Sequence, residues 1–129
     1  MTIQAYLNRI SQLAEQYAAT DFVQTVELNL EPRREQQSYI TGSIIFQDES
    51  VLYFKEYLDY FEGAVDKLMY SYHYQSEANR LIFRYDNARH KPELSFVEHK
   101  HQGNEILPVP PPDLADILLE IAATNDWLI

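Results

Sequence analysis

The sequence predicts an α+β domain, a mostly antiparallel sheet of five or six strands with an N-terminal and a C-terminal helix packed on it. Three observations carry this. Apolar residues recur at helical spacing near both ends of the chain. Between them the period falls to two, as in half-buried strands. The strand segments are joined by hairpin-length connections, which suit antiparallel neighbours. At 129 residues the chain has one domain's length, so residues 1–129 are read as a single domain.

Residues 3 to 19 form the first expected helix. Ile3, Tyr6, Leu7, Ile10, Leu13, Ala14 and Tyr17 make its apolar stripe, with Thr2 as N-cap. Val26, Leu28 and Leu30 then alternate with polar residues until Pro32 stops the strand. A second strand covers Tyr39 to Phe46, and Gly42 within it suggests a bulge. Val51 to Leu58 is the third, after an Asp48-Glu49-Ser50 turn, with Leu52, Phe54 and Leu58 on one face. Ala64 to Gln75 is the fourth and Arg80 to Asp86 the fifth, around the loop Ser76-Glu77-Ala78-Asn79.

Facing Gln75 with Arg80 would pair Tyr74 with Leu81, Tyr72 with Phe83 and Tyr70 with Tyr85. That aromatic face is the expected core side. Ser71, His73, Arg84 and Asp86 then share the opposite face. Glu93 to Lys100 is a sixth, shorter strand, and Gln102-Gly103-Asn104 a turn. The segment from Pro108 to Pro112 is a stiff spacer before the last helix. That helix starts at Asp113, with a stripe of Leu114, Ile117, Leu118 and Ile121. Trp127, Leu128 and Ile129 are expected to dock on the body.

Composition narrows the function classes. Hydrophobic residues make up 46% and charged residues 23%, the balance of a soluble globular protein. No apolar run approaches the roughly 18 residues of a membrane span, and no leader is visible, so the cytosol is the expected compartment. With no cysteine there is no thiolate nucleophile and no thiolate metal site. Phosphate-binding glycine loops and the short hydrolase motifs are absent. A net charge of −10 argues against broad nucleic-acid binding, but the charge is uneven. Between Asn79 and His101, five basic residues stand against three acidic ones. The acidic remainder suits a basic protein partner.

All four histidines lie between Tyr70 and His101. Histidine is the side chain best suited to proton transfer near neutral pH. His99 and His101, two apart on a strand, point to one face, and Lys100 to the other. If that face meets His73, Arg84 and Asp86, the set can attack a phosphodiester. One histidine takes a proton from a ribose 2′-hydroxyl, another protonates the leaving oxygen, and Arg84 steadies the transition-state charge. The alternative is a group of surface histidines beside satisfied arginines. A second reading makes His99, His101, His90 and Asp86 ligands of zinc or manganese, hence a metal-dependent hydrolase. No metal set is assigned, since neither cysteine nor a tight ligand motif is present. A third is a non-enzymatic interaction module whose basic stretch binds a partner.

The runs Tyr72-His73-Tyr74-Gln75, Leu81 to Ala88, His90, Pro92-Glu93 and His99-Lys100-His101, with the earlier strand Val51 to Leu58, resemble the TumE-type family of bacterial toxins. The resemblance spans roughly residues 40 to 120. It implies growth inhibition by acting on RNA, and neutralisation by a helix-turn-helix antitoxin. The motif carries over onto Arg84, Asp86, Asn87, His90, His99 and His101. Arg89, Lys91 and Glu98 depart from the family's Pro, His and His. The expected catalytic set is therefore His73, Arg84, Asp86, His90, His99 and His101. Arg80, Asn87, Arg89, Lys91 and Lys100 are the expected substrate-binding residues. Cofactor need is confined to a divalent metal, RNA is the expected substrate, and a homodimer is allowed.

Overall fold

The period-two middle of the chain builds one seven-stranded antiparallel sheet in a computed structural model of the protein, which describes residues 1–34, 36–88 and 96–128. The elements are α1 (Ile3–Ala18), β1 (Val23–Pro32), β2 (Gln37–Phe46), β3 (Val51–Phe61), β4 (Ala64–Gln75), β5 (Leu81–Asp86), β6 (His99–Gln102), β7 (Glu105–Pro108) and α2 (Leu114–Thr124). Each strand pairs with its neighbour in sequence, giving a meander in the order β1 to β7. The sheet thus has seven strands rather than five or six. The extra one is β7, which the chain enters through a turn at Gly103 with φ of +60°. Four residues ending in proline are too few to show alternation. The expected strand start at Glu93 lies outside the described residues.

Both helices cover one face of the sheet. Leu7, Ile10, Ala14 and Tyr17 of α1 are buried, as are Leu114, Ile117, Leu118 and Ile121 of α2. They join Ile40, Ile44, Phe46, Leu52, Leu58, Tyr70, Tyr72, Tyr74 and Phe83 in one cluster. These strand residues alternate, so the tyrosine stripe of β4 is core, as its pattern predicts. Thr2 caps α1, its hydroxyl accepting from the Ala5 amide at 3.0 Å. Asp113 and Asp116 form a reciprocal capping box on α2. Trp127 docks by stacking on Phe22 and Phe46, each at 5.3 Å. Leu128, expected to dock beside it, is exposed; Ile129 lies outside the described residues.

One charged group belongs to this interior. Glu56 alternates with Leu52, Phe54 and Leu58 and is fully buried. The hydroxyls of Tyr6 and Tyr72 donate to its carboxylate. Lys67 lies 3.9 Å away and donates to the Tyr72 hydroxyl at 2.6 Å and the Pro112 carbonyl at 2.7 Å. A buried carboxylate is tolerable only with such partners. The network ties α1, the sheet and the entry to α2.

Two details of register differ from the sequence reading. Tyr74 pairs with Phe83 and Tyr72 with Tyr85, with an irregularity at Gln75. The shift from the expected pairing is two residues, so every side chain keeps its face. Gly42 marks no bulge. It pairs with Phe54, and a Cβ on it would lie 2.4 Å from the Phe54 ring and 2.8 Å from the Glu27 carbonyl. The glycine is there so that a ring can lie on the backbone. Gly42→Ala should therefore cost about 1–3 kcal/mol in urea unfolding at unchanged slope. The cost should shrink in a Phe54→Leu background; equal costs in both backgrounds would contradict this packing.

Candidate functional site

Among the described residues no helix covers the opposite face, and strand alternation decides which side chains reach it. These are Tyr53 and Lys55 from β3, Ser71 and His73 from β4, Arg84 and Asp86 from β5, and His99 and His101 from β6. The register sets them side by side. Tyr53 pairs with His73, His73 with Arg84, Arg84 with His101, Lys55 with Ser71, Ser71 with Asp86, and Asp86 with His99. Four neighbouring strands thus contribute to one strip.

Asp86 lies at its centre and is 4% exposed. Its Oδ2 accepts from Arg84 Nε at 2.8 Å, and its Oδ1 from the Ala88 amide at 3.0 Å. His99 Nε2 lies 2.9 Å from Oδ1, and His101 Nε2 lies 3.8 Å from Oδ2. Burial works against the carboxylate charge, but Arg84, the Ala88 N–H and His99 outweigh it. The Asp86 pKa is held below its usual value. His99 is fully buried, and its Nδ1 donates to the Val97 carbonyl at 2.6 Å. That bond aims Nε2 at Asp86. The rings of His99 and His101 meet edge to face at 4.8 Å. The His101 side chain is 23% exposed, so it is the histidine of this pair that faces outward.

On the other side of Arg84 stands His73. Arg84 Nη1 lies 3.3 Å from His73 Nδ1, and His73 Nε2 lies 3.0 Å from Gln75 Oε1. With the guanidinium donating to Nδ1, the ring proton sits on Nε2. Burial, then the Arg84 charge, lower the His73 pKa against the opposing effect of Gln75. Beside these groups is a hollow of about 420 Å³, lined by Thr41, Tyr53, Lys55, Ser71, His73 and Arg84. Tyr53 is 50% exposed there, its ring centre 6.4 Å from that of His73.

A model of the family described as toxin TumE matches residues 11–125, which take in the whole strip. The chain belongs to this toxin family. No curated protein and no solved structure matches it. The resemblance read from the motifs of β3 to β6 is thereby shown, and it extends back into α1.

The toxin's other sequence-predicted site residues are placed differently. Lys100 points to the helix side, where it pairs with Glu120 at 2.9 Å and lies over the rings of Phe83 and Tyr85. Asn87 accepts from the Tyr70 amide and donates to the Leu68 carbonyl, both at 3.1 Å, prolonging the β4–β5 pairing. Arg80 is exposed beside the hairpin loop. Arg89, His90 and Lys91 lie outside the described residues. The strip also holds Ser71, expected on this face, and Tyr53 and Lys55, which motif reading passed over. The signal for them was alternation. Tyr53 and Lys55 are the polar-face partners of Leu52 and Phe54. No helix among the described residues is long and apolar enough to cross a membrane.

Asp86→Asn should leave Arg84 without its counter-charge and His99 facing a neutral amide. It is expected to lower stability by about 2–4 kcal/mol, the scale of breaking a buried pair, with part of the Arg84 share screened by solvent. Thermal melts would check this, and an unchanged midpoint would contradict the placing of Asp86.

Proposed function

We propose that this toxin cleaves RNA on the open face of the sheet and is held inactive by a helix-turn-helix antitoxin. The observation that carries the reading is the single strip of His73, Arg84, Asp86, His99 and His101 beside a hollow with two cations and an exposed aromatic ring. Lys55 and Arg84 suit phosphate, and Tyr53 offers a face on which a base can stack. The low pKa of His73 keeps its imidazole neutral near pH 7, the state a general base needs. When a phosphate accepts the Arg84 Nη1 hydrogen bond, His73 Nδ1 is released to take the proton of the 2′-hydroxyl. The alkoxide attacks phosphorus, the bond to the 5′-oxygen breaks, and that oxygen takes a proton from water, so that a cyclic phosphate and a 5′-hydroxyl remain. Arg84 stays on the charged phosphoryl oxygens. The Asp86, His99 and His101 cluster stands beyond Arg84, on the side of the leaving oxygen.

Family membership supports the toxin role and an antitoxin partner. The acidic body, with a net charge of −10 for the whole chain, suits a basic one. The cytosol, where RNA and antitoxin both reside, is the proposed place of action.

Arg84→Ala and His101→Ala should abolish growth arrest on induced expression, and RNA cleavage by purified protein, with circular dichroism unchanged. Arrest by both variants at equal soluble amounts would contradict the reading. His99→Ala is a poorer probe, because a fully buried ring leaves a cavity and unpaired partners. Cleavage by the wild type should fall on acidification only below about pH 6.5, the ordinary histidine value, since His73 must lose its proton to act. An acid limb above that value would count against His73 as the base.

A further inference from the structure

We infer that Asp86, His99 and His101 bind one divalent transition-metal ion. The three side chains offer two imidazole nitrogens and a carboxylate oxygen, all within 4.8 Å of one another. Bonds of about 2.1 Å place neighbouring ligands of one ion about 3.0–3.4 Å apart. His99 Nε2 lies 2.9 Å from Asp86 Oδ1 and His101 Nε2 lies 3.8 Å from Asp86 Oδ2, so the two imidazoles approach the two oxygens of one carboxylate. The three ligand atoms spread over as much as 4.8 Å, so the partly exposed His101 has to move by about 1–2 Å to close the set.

The surroundings have the character of a metal site's outer shell. The Nδ1–H of His99 is bound to the Val97 carbonyl, which turns the Nε2 lone pair toward Asp86. A backbone carbonyl on the distal nitrogen is the usual way of orienting a ligating histidine. That brings His99 Nε2 and Asp86 Oδ1, two donor atoms of the set, within 2.9 Å of each other. Metal ligands bind in their deprotonated forms, so the site's affinity rises with pH. The Ala88 amide and Arg84 each bind one carboxylate oxygen, fixing the ligand's angle while each oxygen keeps a further lone pair.

Two nitrogens and one oxygen select zinc or manganese over magnesium or calcium, which prefer oxygen throughout. Among the described residues three ligands converge, the number that catalytic zinc sites take from the protein. The ion's role rests on the ribonuclease reading: it meets the leaving 5′-oxygen as a Lewis acid, opposite His73. Its presence does not depend on that reading.

Calorimetric titration of the chelator-treated full chain with Zn²⁺, Mn²⁺ and Mg²⁺ tests the site. One Zn²⁺ or Mn²⁺ per chain is expected, with Mg²⁺ weaker by at least about a hundredfold. His101→Ala, which removes the partly exposed ligand, should weaken binding by at least about tenfold with circular dichroism unchanged. Asp86→Asn should do the same, and His73→Ala should leave the stoichiometry at one. Absence of Zn²⁺ and Mn²⁺ binding, or binding that survives both His101→Ala and Asp86→Asn, overturns the inference. RNA cleavage that persists undiminished in excess chelator overturns the ion's role in catalysis and leaves the ribonuclease reading intact. One bound ion without RNA cleavage upholds the site and defeats the ribonuclease reading alone.

Discussion

One oxygen of Asp86 takes the Arg84 guanidinium, and the other takes the Ala88 amide and faces His99. A carboxylate this deeply buried persists only because its charge is balanced on several sides. It sets the angle of Arg84, which in turn meets His73. Through His99 it reaches the Val97 carbonyl, the chain leading into β6. Groups on β4, β5 and β6 are thus joined at one residue, and among the described residues the strip keeps its geometry without a helix over it.

The constraint beneath this joint is the layering. Both helices lie on one side, so one side of the sheet is filled with tyrosine, phenylalanine and aliphatic side chains. The meander makes sequence neighbours spatial neighbours. Motifs tens of residues apart, such as Tyr53, His73, Arg84 and His101, therefore need only the right parity to meet. The same parity sends Lys100 to the helix side, where Glu120 holds it.

Parity was legible in the sequence, and register and strand number were less so. The histidines at 99 and 101 had to share a face, and the aromatic stripe of β4 had to be core. The pairing of β4 with β5 moved by two residues because an irregularity at Gln75 absorbs part of the turn, which no pattern announces. β7 was hidden by its shortness and by the prolines after it. Gly42 was noticed, but its partner Phe54 was visible only once β2 and β3 were in register. The buried Glu56 stood in a run of core positions, and alternation placed it inside. Its tyrosine donors come from elements about 16 and 50 positions away, beyond the reach of any local pattern. Motif reading also favoured histidines and basic residues, and so overlooked Tyr53 and Lys55, whose meaning comes from the hollow they line.

The central claim is that the uncovered sheet face, and not the helical side, meets the nucleic acid. Nuclear magnetic resonance of the labelled chain, titrated with a short single-stranded RNA that cannot be cleaved, reads this directly. The account predicts that shifts concentrate at Tyr53, Lys55, His73, Arg84 and His101, while the amides of α1 and α2 stay in place. Shifts centred on the helices, with that strip unmoved, would contradict it.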